Sequence, residues 1–282
     1  MIVIAGFGFV GKAYYNAFKT YRSIEIVDPK YNNNKIKDMD KLRGVIVCVS
    51  TPQDDDGSCY MDNVYNVISE VPNHVPIMIK STISLDGWNE LATKFPTHLI
   101  TFSPEFLRAA TADEDVKNTT HVFLAGGNTD YWRDFYSYAF PEVKITVCSP
   151  KDAIAIKYFR NSFLATKCSF FNEVYNFCQA VGLDYDTVRY GVAADSRIGD
   201  SHTFIDLPVR GWGGYCFPKD TSALLKMAEN NNINLNTLEA AVKSNKEIRK
   251  NNWLLGNLTY NKTNWRKKWK TFYKTSFHTL IV

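Results

Sequence analysis

The residue best suited to covalent chemistry is a cysteine that follows a cluster of glycines and precedes a lysine–aspartate pair. It stands in Gly211-Trp212-Gly213-Gly214-Tyr215-Cys216-Phe217-Pro218-Lys219-Asp220-Thr221. Glycines let a backbone approach a ligand closely, and proline suits the first turn of a helix, so the run predicts a helix beginning just after Cys216. Helix-terminal N–H groups and the neighbouring Lys219 favour the nucleophilic thiolate there. Asp220 opposes that effect and can serve in proton transfer.

Lys157 and Asn161 stand four residues apart in a segment of helical pattern, so both project from one helix face. Their apolar neighbours Ile154, Ile156, Phe159 and Phe163 predict that this face is at least partly buried. An ammonium and an amide held together in this way are donors for an oxyanion. A third constellation is Gly6-Phe7-Gly8-Phe9-Val10-Gly11, directly after the apolar start of the chain. Glycines at this spacing allow a tight turn, approach of a pyrophosphate to backbone N–H groups, and close helix packing. Asp28 closes the second apolar run, where a carboxylate binds a ribose diol and repels a 2′-phosphate. NAD is therefore expected over NADP.

The elements that must position these residues follow from periodicity. Apolar, β-rich runs at 1–5, 24–28, 45–49, 76–80, 98–102, 121–125 and 143–147 alternate with helical stretches. That alternation predicts an α/β domain, a doubly wound parallel sheet with helices on both faces. Val45-Ile46-Val47-Cys48-Val49 reads as a buried strand, with Cys48 in the core. At Ser149-Pro150-Lys151-Asp152 a capping serine, a proline and an acid announce a helix, which Gly182 stops after about Ala180. Thirty residues at about 1.5 Å each form a rod of about 45 Å, the spine of a second, helical domain. The division expected is 1–149, 150–250 and a basic, aromatic tail at 251–282. Trp265-Arg266-Lys267-Lys268-Trp269-Lys270 in that tail reads as a solvated end, with a membrane surface or nucleic acid as the alternative.

Bulk composition narrows the function classes. The 282 residues are 45% hydrophobic, enough for one large core or two moderate ones. With 33 basic and 29 acidic residues there is no general reason to expect nucleic acid. Six cysteines (48, 59, 148, 168, 178 and 216) include no Cys-x-x-Cys pair. This argues against a zinc or other metal site and against a disulfide framework, and fits reduced thiols in a cytoplasmic protein. No charged leader and no run long enough to span a bilayer is seen.

Taken together, these motifs resemble the nucleotide-sugar dehydrogenases that act on UDP-glucose, GDP-mannose and UDP-N-acetylmannosamine. The resemblance runs from residue 1 to about 250. It rests on the glycine fingerprint, Ser50-Thr51-Pro52, Lys80-Ser81-Thr82, Ser103-Pro104-Glu105-Phe106-Leu107-Arg108, Lys157-x-x-x-Asn161 with Phe163-Leu164-Ala165, Arg197-Ile198-Gly199, and Gly213-Gly214-Tyr215-Cys216-Phe217-Pro218-Lys219-Asp220. Arg197-Ile198-Gly199 and the aromatic before the second glycine pair look most like the UDP-glucose branch.

The resemblance implies a Rossmann-type domain, a long central helix and a helical dimerisation domain. It implies two hydride transfers from C6 of the sugar to two successive NAD molecules, by way of a thiohemiacetal and a thioester on Cys216. Lys157 and Asn161 would stabilise oxyanions, while Glu105, Asp220 and Thr82 would handle the proton and the water. Gly6, Gly8, Phe9, Val10, Gly11, Asp28, Thr51, Thr82 and Lys219 would hold NAD. Glu105, Phe106, Leu107, Lys157, Asn161, Ile205, Val209 and Gly213 would border the nucleotide sugar, with Arg197 reaching the substrate of a neighbouring subunit in a homodimer. Two departures stand out. Ala109 replaces an acid that many relatives carry after the Arg108 position, and the chain stops about where a third, nucleotide-holding domain is expected. Two alternatives follow: an inactive NAD-binding partner of a full-length dehydrogenase, and a single-hydride β-hydroxyacid dehydrogenase, which has no need for Cys216 in a glycine cradle.

Overall fold

The computed structural model describes residues 1–207 and 209–259, without the side chains of 251–259. The expected basic cluster at 265–270 lies outside the described residues. The chain packs as two compact units. Met1–Ala165 and Gly213–Glu239 form the first; Thr166–Trp212 and the described residues from Ala240 form the second. These units cut the chain differently from the division at 149 and 250, because the start of the long helix and the Cys216 segment pack with the sheet.

The first unit is built on β1 (Ile2–Ala5), β2 (Ile24–Val27), β3 (Gly44–Val47), β4 (Ile77–Ile79), β5 (Ile100–Phe102), β6 (His121–Gly126) and β7 (Lys144–Cys148). Each lies where the apolar runs place it. The order across the sheet is β2-β1-β3-β4-β5-β6-β7. Ile2 to Ala5 and Val45 to Val47 are fully buried, as parallel strands covered on both faces must be. One pairing departs from the all-parallel expectation: β6 runs antiparallel to β5. The connection between them holds only one short helix, α4 (Ala112–Lys117). It does not carry the chain back along the sheet, as a parallel crossover would.

Helices α1 (Phe9–Phe18), α2 (Asp62–Ser69), α3 (Leu85–Lys94) and α5 (Thr129–Ala139) flank the strands. Phe18 of α1 stacks on Phe135 of α5 at 4.3 Å, and Trp132, Tyr136 and Met78 complete that core. Cys48 packs against the same cluster, and burial pushes its thiol up, as suits a core residue. The long helix α6 (Pro150–Val181) has the bounds that Pro150 and Gly182 imply. Within the first unit its buried positions are Ala153, Ile154, Lys157, Tyr158, Asn161, Ser162 and Ala165. The Lys157 face is buried as expected, with Ile154 inside and Ile156 half-buried, but Phe159 at 54% and Phe163 at 68% exposure lie outside.

In the second unit, Phe171 and Cys178 of α6 meet Tyr185 of α7 (Tyr185–Ala193), with Val174, Tyr175 and Ile205 around them. Helix α9 (Asn236–Thr259) adds Asn245, whose amide both donates to the Trp212 carbonyl and accepts from the Trp212 N–H.

Two glycines of the first turn cannot be replaced. Gly6 has φ +92°, and a Cβ there would lie 2.7 Å from the Cys48 carbonyl; at Gly11 a Cβ would lie 2.1 Å from the Gly6 oxygen. A Cβ on Gly8 meets nothing within 4 Å. Gly11→Ala is expected to cost about 3 kcal/mol or more, and Gly8→Ala less than about 1 kcal/mol, in urea unfolding followed by tryptophan fluorescence.

Candidate functional site

The glycine turn, the loop after β4 and the loop after β5 all open at the C-terminal edge of the sheet, where α/β proteins bind ligands. Asp28, immediately after β2, accepts hydrogen bonds from the N–H of Phe7 at 2.6 Å and of Lys30 at 2.8 Å. These fix the carboxylate at the turn and leave it further lone pairs. Gly8 is exposed, and Phe9 and Val10 open α1 while leaning on the core. Thr51 is buried. Thr82 is half-buried, and its carbonyl accepts a hydrogen bond from the Cys59 thiol at 3.4 Å.

The chemistry-bearing residues gather around one carboxylate. Helix α8 (Cys216–Asn230) begins at Cys216 itself rather than after it, so the thiol stands in the first turn, half-buried. Four residues on, Asp220 is wholly buried. Its Oδ1 accepts from Lys219 Nζ at 2.6 Å and its Oδ2 from Asn161 Nδ2 at 2.5 Å. Lys157 Nζ lies 3.9 Å from the same Oδ2 and donates to the Glu105 backbone carbonyl. The spacing argument thus holds for Lys157, Asn161, Cys216 and Asp220. The Lys219 ammonium is committed to Asp220.

Burial pulls the Lys157 amine below the usual lysine range, against the raising effect of Asp220, Cys216 and Glu105; Lys219 adds to the lowering. Glu105 is curled on its own backbone, Oε1 accepting from Phe106 N–H at 2.7 Å and Leu107 N–H at 3.2 Å. Its Oε2 faces Lys80 Nζ at 3.2 Å. Phe106 carries the Arg160 guanidinium over its ring at 3.7 Å, and Leu107 leans on the core. Arg108 forms a fork with Asp115 of α4, so it has an acid although Ala109 follows it.

Gly213 lies in the first unit. Arg197, Ile205 and Val209 belong to the second, where Arg197 pairs with Asp195, Ile205 is half-buried and Val209 is exposed. Sequence reasoning gave no role to Lys80, Tyr14, Tyr136 or Arg160. A charge at the end of the apolar run Ile77-Met78-Ile79 was the signal for Lys80, since a lysine there must find a partner inside the fold.

Residues 151–247 match the central domain of the UDP-glucose/GDP-mannose dehydrogenase family. UDP-glucose 6-dehydrogenase of Rickettsia felis is 31% identical over 230 residues, 77% of this chain and 51% of that protein. The chain belongs to the UDP-glucose/GDP-mannose dehydrogenase family. UDP-glucose 6-dehydrogenase YwqF of Bacillus subtilis is 32% identical over 214 residues, 71% of this chain and 48% of that protein. The chain thus spans about half the length of these relatives. A UDP-glucose dehydrogenase structure from Pyrobaculum islandicum superimposes with a TM-score of 0.77 at 22% identity, covering 87% of this chain and 68% of that one. This last likeness is one of fold. Among the described residues no helix is long and apolar enough to cross a membrane.

The lowered Lys157 amine carries a stability consequence. A lysine held below its unfolded value binds its proton less well in the folded chain, so it costs stability at neutral pH. That cost disappears as pH rises from the lowered folded value through the unfolded value of about 10.4. Lys157→Met should therefore gain stability relative to wild type at pH 7, compared with the same difference at pH 10.5. Paired urea titrations at the two pH values check the sign.

Proposed function

We propose that this chain supplies the oxidation chemistry of a UDP-glucose 6-dehydrogenase: UDP-glucose, two NAD+ and water give UDP-glucuronate and two NADH, with the remaining hydrogens released as protons. The observation that carries the reading is the buried group of Lys157, Asn161, Lys219 and Asp220 at the first turn of the helix that Cys216 opens.

The turn Gly6 to Gly11 fits a dinucleotide. Gly6 and Gly11 are closed by backbone, Gly8 is open, and Asp28 is fixed where a ribose diol would meet it. Phe9 and Val10 open the helix behind that turn, Thr51 and Thr82 stand in the loops after β3 and β4, and Lys219 stands in the first turn of α8. NAD bound there accepts a hydride in each of two successive oxidations. The chain's residues do the rest. Lys157 and Asn161 donate to the sugar oxygen as it becomes carbonyl. Cys216 then adds its sulfur to the aldehyde carbon, giving a thiohemiacetal whose oxidation leaves a thioester. Water, positioned by Thr82, Glu105 and Asp220, adds to the thioester carbonyl; the C–S bond breaks, and the acid and free thiol result. A desolvated Lys157 gives up its proton more readily than a lysine in water, which suits it to proton exchange with the sugar oxygen. Phe106, Leu107 and Gly213 are assigned to the nucleotide sugar. Six free thiols suit a reducing cytoplasm.

Cys216→Ser is expected to lower steady turnover by about 100-fold or more, since a hydroxyl is a poorer nucleophile and its ester less reactive, while NAD affinity holds. NADH formed per sugar, with mass spectrometry of the wild-type protein for an adduct on Cys216, is the measurement. Two NADH and an adduct support the reading. One NADH, with full activity in the serine variant, makes it a single-hydride dehydrogenase.

The partner we propose is a second copy. Phe159, Phe163, Phe170 and Phe177 are 54% to 68% exposed at spacings that keep one side of α6. Unpartnered, such a row leaves an apolar stripe in water. In a homodimer of this kind Arg197 would serve the neighbouring subunit's substrate. Light scattering should give twice the chain mass, and Phe163→Glu with Phe170→Glu should halve it.

A further inference from the structure

Beneath the site lies a buried polar group that the reaction steps above leave unused. Lys80 follows β4 directly and is 4% exposed. Its ammonium donates to Ser103 Oγ at 3.0 Å and to the Pro104 carbonyl at 3.4 Å, and it pairs with Glu105 Oε2 at 3.2 Å. Three successive residues after β5 are thus tied to one charge. Behind it, the Tyr136 hydroxyl accepts from Lys80 at 3.4 Å and shares a 2.7 Å hydrogen bond with Tyr14, whose ring lies 5.0 Å from the ammonium.

A lysine is not needed there for packing. Burying an ammonium costs several kcal/mol unless every donor is used, and an apolar side chain would fill the same space. What the charge secures is the path of Ser103-Pro104-Glu105. That path sets the Glu105 carbonyl, and the Glu105 carbonyl receives the Lys157 ammonium. We infer that Lys80 is a positioning residue, which through Glu105 fixes where the Lys157 amine stands. The inference rests on the assignment of Lys157 to the reacting oxygen. The link from Lys80 to Lys157 can nevertheless be measured without turnover.

The groups that bear on the Lys157 charge are Asp220, Cys216 and Lys219 from the α8 side and Glu105 from the loop after β5. If Lys80 sets the loop, its loss changes both the distance and the net charge that Glu105 presents to Lys157. The variants are Lys80→Met, Lys80→Arg as the conservative rescue, and Lys80→Met with Glu105→Gln. The double variant removes both buried charges and is read against Glu105→Gln alone, so that the difference between the two isolates Lys80 should the single variant fail to fold.

The first readout is the titration midpoint of Lys157 by lysine side-chain NMR, with the signal assigned through Lys157→Arg. The second is kcat against KM for UDP-glucose with NAD. Lys80→Met against wild type, or the double variant against Glu105→Gln in its place, should move the Lys157 midpoint by about half a unit or more. It should lower kcat by about 30-fold or more with KM changed less than about threefold. Lys80→Arg should return both toward wild type. A folded variant whose Lys157 midpoint is unchanged overturns the inference, whatever its melting temperature. If the wild-type chain shows no turnover, the dehydrogenase reading fails by itself, and the Lys157 midpoint still decides the role of Lys80.

Discussion

Asp220 holds its carboxylate out of bulk solvent, and the polar side chains of the first unit are arranged around that fact. A lone carboxylate taken out of water costs several kcal/mol even after local relaxation, and only well-aimed donors and an opposite charge repay it. The donors come from two elements: Asn161 from α6, Lys219 from α8 beside it. Because Asn161 must reach Oδ2, the start of α8 is held in one register against α6. Cys216 rides on that first turn, so the position of the thiol follows from the neutralisation of an acid one helical turn away.

The same accounting gives the cluster its electrostatic character. Lys80 faces Glu105 and Lys219 faces Asp220, each at ion-pair distance. Lys157 stands beside both acids without either to itself. Three formal cations against two formal anions leave one positive charge in excess in a desolvated space. Burial penalises that charge, which is the largest influence on Lys157. An anion arriving beside it relieves the penalty. Such a site interacts more strongly with the charged form of a reacting group than with its neutral precursor, which is what lowers a barrier.

Much of this was legible from residue types. The seven strands were marked by apolar runs, and α6 by Pro150 at its start and Gly182 after its end. Four residues between Lys157 and Asn161 were enough to place both on one face. The expected burial of that face also holds, but not through the phenylalanines: Phe159 and Phe163 lie outside, while Lys157, Asn161 and Ser162 turn in beside Ala153, Ile154 and Tyr158. Helix α8 starts at Cys216 although Pro218 suggested a later start; proline is tolerated anywhere in the first turn, where its missing N–H has no partner to lose. The Lys80 group escaped notice because its members, Tyr14, Lys80, Ser103, Glu105 and Tyr136, come from four separate segments that only the sheet brings together.

The antiparallel turn of β6 is the last piece of the arrangement. Had the chain after β5 crossed back over the sheet to form another parallel strand, it would have left the C-terminal edge within a few residues. Instead Ser103 to Arg108 remains at that edge before α4 begins. A loop held there exposes backbone groups that need partners, and this one uses its own carboxylate: Glu105 takes the N–H groups of Phe106 and Leu107, while Lys80 holds the other oxygen. Arg108 closes the loop onto Asp115 at the far end. The carbonyl left pointing outward from this knot is that of Glu105, and it meets Lys157. A topological departure from a uniform parallel sheet thus supplies the acceptor that orients the amine at the centre of the site.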